Sequence, residues 1–356
     1  MGDDRGVCSE ESANGGTDVW SCSNRSADHL IVMVHGILGS TADWKFAANQ
    51  FVRELPDKVI VHCSECNMYK LTLDGVDVMG ERLAEEVVEM IRRRPEIKKI
   101  SFVAHSVGGL VARYAIGRLY RPPRRKSRED PSVGTCEEDS RGTIYGLEAI
   151  NFVTVATPHL GSRGKKQVPF LFGVTAIEKV ASLVIHWIFR RTGRHLFLTD
   201  NDEGQPPLLQ RMVDDCGDLY FMSALRAFKR RVAYANVGYD HVVGWRTSSI
   251  RRNSELPKWE DSLCEKYPHI VYEEKSEGKN GNQYAQDSNG EEDNCYDVLE
   301  EELVTGLSRV SWERVDVSFH TSRLRFAAHS VIQVKDSFME SEGADVIQHM
   351  IDHFLI

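Results

Sequence analysis

The sequence predicts an α/β fold: a mostly parallel central sheet with helices on both faces. Three observations predict it. Short, nearly continuous apolar runs recur along the chain, amphipathic segments of helix length separate them, and a tight serine-bearing turn ends one of the runs. With 356 residues, 41% hydrophobic and 27% charged, the chain is long enough to bury one large core.

The first run, His29–Val34, ends at His35-Gly36 and reads as a strand buried on both faces. Lys58–His62 and Lys99–Ala104 repeat it. Between them Val78, Leu83, Val87, Met90 and Ile91 recur at helical spacing up to Arg94, with Pro95 closing the helix. A helix over Val107–Tyr120 follows, then strands over Ala149–Ala156 and Arg231–Val237. Strand-like runs at Trp312–Phe319 and Ser330–Val334 precede a closing helix over Ala344–Phe354. One domain over 28–356 is expected, preceded by a disordered acidic and polar tail over 1–27. Segments 121–141 and 273–293 are rich in Pro, Gly, Asn, Gln, Ser or mixed charge and read as flexible surface insertions.

A net charge of −9 argues against a general nucleic-acid binder, which needs a basic footprint to meet phosphate. The 8 cysteines are scattered, and the chain is too large to depend on disulfides, so most read as thiols in a reducing compartment. Cys63 and Cys66 form a lone Cys-x-x-Cys without the second ligand pair of a zinc site. No metal or organic cofactor is expected. The first 28 residues lack the basic start and apolar stretch of a secretory signal, and Gly6 stands where a myristoylation pattern requires Ser or Thr. The expectation is an intracellular, cytoplasmic chain without a signal peptide or transmembrane helix.

The chemistry centres on Phe102-Val-Ala-His-Ser-Val-Gly-Gly-Leu-Val-Ala-Arg-Tyr: an apolar strand, a turn holding Ser106, then a helix. In that context Ala104-x-Ser106-x-Gly108 reads as a nucleophile turn of the α/β-hydrolase fold, with alanine replacing the usual first glycine. The turn exposes the Ser106 hydroxyl and aims the Val107 amide at a developing oxyanion. The His35-Gly36 loop is expected to supply a second amide, Ile37, with Leu38 as the alternative. A serine nucleophile needs a base and an orienting carboxylate, here in the order serine, acid, histidine. Asp240, at the end of the strand-like 234–239 run, is the preferred acid over Asp214, Asp215 and Asp218, which read as charges before a helix. His329 is the preferred base and His320 the alternative. His349 and His353 read as packing or surface residues, and His159 falls too early and reads as structural.

These residues resemble the putative serine esterase family of lipase-like α/β-hydrolases. The similarity rests on His35-Gly-Ile-Leu-Gly39, Asp43-Trp44, Ala104-His-Ser-Val-Gly-Gly-Leu110, Thr157-Pro-His-Leu-Gly161 and Ala328-His-Ser-Val-Ile332, and covers roughly Asp28 to the C-terminus. The resemblance implies a Ser106, Asp240, His329 triad, an apolar strand after His329, and acyl lipids as the substrate class.

The most apolar stretch, Val168–Phe189, is interrupted by Pro169, Gly173 and Glu178-Lys179, and is too broken to span a bilayer. Its flanks carry Lys165, Lys166, Arg190, Arg191 and Arg194. A lid-like insertion over 165–198 that touches a membrane or lipid-droplet surface is one expectation, and a helical insertion packed on the core is the other. The whole predicts a lipase-like carboxylic ester hydrolase. An acyltransferase or thioesterase with the same triad, or a catalytically silent lipid-binding protein, are the rivals.

Overall fold

The computed structural model describes residues 7–11, 17–22, 27–123, 141–162, 190–258, 264–278, 294–336 and 341–356. Among these, nine strands form one sheet: Val7–Glu11 (β1), Thr17–Cys22 (β2), His29–Val34 (β3), Val59–Cys63 (β4), Lys99–His105 (β5), Glu148–Val155 (β6), Arg230–Asn236 (β7), Ile270–Ser276 (β8) and Trp312–Val317 (β9). Their order is β1-β2-β4-β3-β5-β6-β7-β9-β8. From β4 to β9 the neighbours run parallel; β1, β2 and β8 are antiparallel additions at the two edges.

The apolar runs form strands because both faces of each are covered. In β3, Leu30, Val32 and Val34 point into one core while Ile31 and Met33 point into the other, the period-two alternation of a pleated strand. The first core packs under the helices Val76–Arg93 (α2), Val107–Leu119 (α3) and Phe221–Ala227 (α4), and α2 presents Val76, Met79, Leu83, Val87 and Met90 to it; Trp245–Ser249 (α5) and Asn294–Leu307 (α6) follow along the chain. The second lies under Lys45–Glu54 (α1) and the closing helix Ala344–Asp352 (α8), through Phe51, Val346, Ile347 and Met350. Each fully buried large apolar side chain stabilises by about 1.5–3 kcal/mol.

Three expectations differ from the structure. Within the tail expected to be disordered, β1 and β2 pair antiparallel with each other, and β2 pairs with β4. The start of the 273–293 insertion belongs to β8. That strand is half exposed on a sheet edge, and its alternating Glu and Lys read as solvated loop. Ser330–Val334 is no strand. The helical turn Ala328–Val331 (α7) is followed by local bonds from the Ile332 amide to the Ala328 carbonyl and from the Val334 amide to the Val331 carbonyl. The outer edge of β9 is already taken by β8.

Val168–Phe189 and its basic flank Lys165-Lys166 lie outside the described residues, as do 124–140 and 279–293. The C-terminal flank is described: helical residues 190–196 dock on the start of α2, where the Gly75 amide donates to Thr192 and the Val76 amide to His195 Nδ1. Arg191 and Arg194 are engaged by Asp77 and Asp202. Among the described residues no helix is long and apolar enough to cross a membrane.

Candidate active site

Ser106 lies between β5 and α3 at φ +54° and ψ −132°, a conformation that side-chain-bearing residues avoid. Its amide is anchored to the Val155 carbonyl at 2.9 Å, so the sheet holds the strained turn. The turn needs small neighbours. A Cβ on Gly108 would stand 2.5 Å from the His35 carbonyl oxygen, and one on Gly36 would stand 2.9 Å from the Ser106 Cβ. The His35–Gly39 loop therefore presses directly on the serine, and Ala104 is fully buried beneath it.

Asp240 follows β7 and His329 sits on α7, 89 residues apart in sequence. The Ser106 Oγ lies 3.0 Å from His329 Nε2, and His329 Nδ1 lies 3.0 Å from Asp240 Oδ2. With Nδ1–H donating to the carboxylate, Nε2 is the nitrogen left to accept the serine proton. Asp240 is further held by the Asn236 amide at 2.9 Å and by the backbone amides of Val242 and Val243 at 3.0 and 2.8 Å. Burial raises the Asp240 carboxyl, but His329, the Val243 amide and Asn236 outweigh it and keep the group below its usual value.

The two expected amides belong to Val107 and Ile37. Val107 opens α3, and Ile37 lies on the loop against Ser106. The alternative, Leu38, has its amide donated to Thr72 Oγ1 at 2.8 Å. That hydroxyl donates in turn to the Tyr69 carbonyl, and Leu38 is held at φ +53°. Asp43 braces the same loop: a Cβ on Gly39 would stand 2.6 Å from its carboxylate, which also pairs with Lys335 at 3.1 Å.

The rival residues are engaged elsewhere. Asp214 pairs with Arg309 and Asp218 with Arg118. Asp215 accepts the first amides of α4, from Met222 and Ser223. His159 is buried against Thr154 and Trp312, and burial together with Arg113 pushes it well below its ordinary value, so it is neutral. His320 meets Ser318, and His349 meets Tyr234 in the second core. Asn236 and Thr72 escaped the sequence reading. Asn236 lies four residues before Asp240 at the end of its strand, which could have flagged it; nothing in the linear pattern marks Thr72.

The serine turn above a parallel sheet, with the order serine, acid, histidine, is the architecture of an α/β-hydrolase. A model of the family described as Putative serine esterase (DUF676) matches residues 24–250. That span contains Ser106 and Asp240 and ends before His329, so the similarity expected through to the C-terminus is matched only in part. Among similar proteins are Putative lipase ROG1 of Saccharomyces cerevisiae, 29% identical over 62% of this chain, and Putative lipase C4A8.10 of Schizosaccharomyces pombe, 26% identical over 66%. The chain spans 28% of the length of each. A solved structure of the mature Bacillus licheniformis lipase BlEst2 aligns at TM-score 0.34 and 16% identity, over 60% of this chain and 68% of that one.

Proposed function

The chain belongs to the putative serine esterase family, and from that membership we propose that it hydrolyses acyl esters with Ser106 as nucleophile, His329 as base and Asp240 as orienting acid. The observation that carries the reading is the continuous chain of contacts from Ser106 Oγ through His329 to Asp240, each 3.0 Å. His329 Nε2 takes the hydroxyl proton as Oγ attacks the ester carbonyl, and the Ile37 and Val107 amides hold the tetrahedral oxyanion. The imidazolium then returns its proton to the leaving alcohol, which departs as the acyl-enzyme forms. Water, deprotonated by the same base, releases the acid and restores Ser106.

The substrate in this reading is an ester with an apolar acyl chain. Leu38 beside the oxyanion loop, Val242 beside Asp240 and Phe326 near His329 are 52%, 50% and 56% exposed, so the loops carrying the site present apolar surface outward. The names of the lipase-like relatives point the same way. That rim is also the surface through which the chain would meet a membrane or lipid droplet.

Labelling with a fluorophosphonate probe tests the nucleophile. Wild type is expected to label and Ser106→Ala to lose both label and esterase activity by at least about 10³-fold. Equal labelling of the two proteins would sink the assignment.

A further inference from the structure

His105, the residue before the nucleophile, is fully buried in the sheet-to-helix turn but turns its ring toward the base rather than into the core. Its Nε2 lies 2.7 Å from the main-chain oxygen of His329, and the two imidazole rings stand 4.6 Å apart between centroids. The other side of the ring faces the oxyanion loop: a Cβ on Gly36 would stand 3.1 Å from His105 Nδ1. The ring thus fills the space between the nucleophile turn, the oxyanion loop and the base. The neighbouring carbonyl, that of Ala328, receives the Asn236 side-chain amide at 3.3 Å.

We propose that His105 is a positioning residue for the reaction, whose Nε2–H ties the backbone of the base to the turn that carries the nucleophile; this rests on the triad reading above. The base needs such a tie because α7 is a single helical turn outside the sheet, without ladder hydrogen bonds to fix it. Only the tautomer protonated on Nε2 can donate to a carbonyl oxygen. The charged groups that act on the ring are His329, Asp240 and Lys335. Burial, and then the charge His329 takes up, push His105 well below its ordinary value, so the tie persists while the base cycles through its imidazolium. Asn236 makes the matching tie from the acid's side, so adjacent carbonyls of the base segment are held by the strands that lead to the other two triad members.

The test is steady-state hydrolysis of p-nitrophenyl butyrate and the rate of fluorophosphonate labelling by the full chain, per folded molecule. Glutamine carries its amide nitrogen where Nε2 lies, asparagine ends one bond short, and phenylalanine fills the space without a donor. His105→Asn and His105→Phe are expected to lose about 10- to 100-fold in kcat and labelling rate with KM within about twofold, and His105→Gln to recover to within about threefold of wild type. Either of the asparagine and phenylalanine variants suffices if the other fails to fold. Wild-type kcat in a folded asparagine or phenylalanine variant, or a folded His105→Gln no better than those two, overturns the positioning role. Ser106→Ala run in parallel separates the two claims. If it stays active, the triad reading fails; if it is dead while the asparagine and phenylalanine variants are unimpaired, only the role of His105 fails.

Discussion

Thr72 shows how far single side chains outside the triad shape the candidate site. Its buried hydroxyl accepts the Leu38 amide and donates to the Tyr69 carbonyl, so one oxygen joins the His35–Gly39 loop to the turn before α2. Its carbonyl accepts the hydroxyl of Thr192, on the segment that follows the apolar insertion. Thr72→Val is expected to keep the side-chain volume but release the loop, lowering kcat about 10-fold with KM nearly unchanged, because the Ile37 amide then drifts from the oxyanion position proposed for it. Thr72→Ser keeps both bonds and should stay close to wild type; similar kcat for the valine and serine variants would count against this account. Ser106 was legible because strand, turn and helix are contiguous in sequence. Thr72 was not, since nothing local distinguishes it from any other loop threonine.

At the scale of elements, α2 is tied to the loop after β4 by Glu86. Its carboxylate accepts the Ser64 hydroxyl at 2.6 Å and the Glu65 amide at 2.8 Å, and lies 3.2 Å from His62 Nε2. Burial would raise this carboxyl, yet His62, Ser64 and the Glu65 amide together bring it from 4.5 down to about 2. Because the folded value lies below the unfolded one, the charged form stabilises the fold above about pH 4.5, and that contribution fades as pH falls toward 2. The shift corresponds to about 3 kcal/mol. Glu86→Gln should therefore unfold at a lower temperature at pH 7, with the gap to wild type closing between about pH 4.5 and 2. A gap of constant size across that range would refute the linkage. The helix itself was readable from its 3.6-residue period, whereas this partner set was hidden because its members come from two different elements. The same limit explains Ser330–Val334, where an apolar run was read as a strand although β9 had no free edge for it.

Across the whole molecule, a buried ion pair fastens the segment that follows the helical turn at 245–249 to β9. Arg251 Nη1 lies 2.9 and 2.7 Å from the two oxygens of Asp316 on β9, and neither side chain is exposed. Trp245 donates to the same carboxylate, and Arg251 also reaches Glu274 on the edge strand β8. Asp316→Ala would leave the guanidinium buried beside a vacated site, and a loss of about 3–5 kcal/mol in denaturant unfolding is expected. A change below about 1 kcal/mol would show the pair to be dispensable. By itself the sequence determined the alternation of buried strands and amphipathic helices, and the strand-turn-helix around Ser106, because both are written in contiguous residues. It ranked Asp240 and His329 first only by their order along the chain. The tertiary structure alone decided that His329 stands 3.0 Å from both Ser106 and Asp240, and that His105, Asn236 and Thr72 make hydrogen bonds to the backbone or side chains around them. Those distances depend on how strands far apart in sequence stack in one sheet, and no local pattern encodes that stacking.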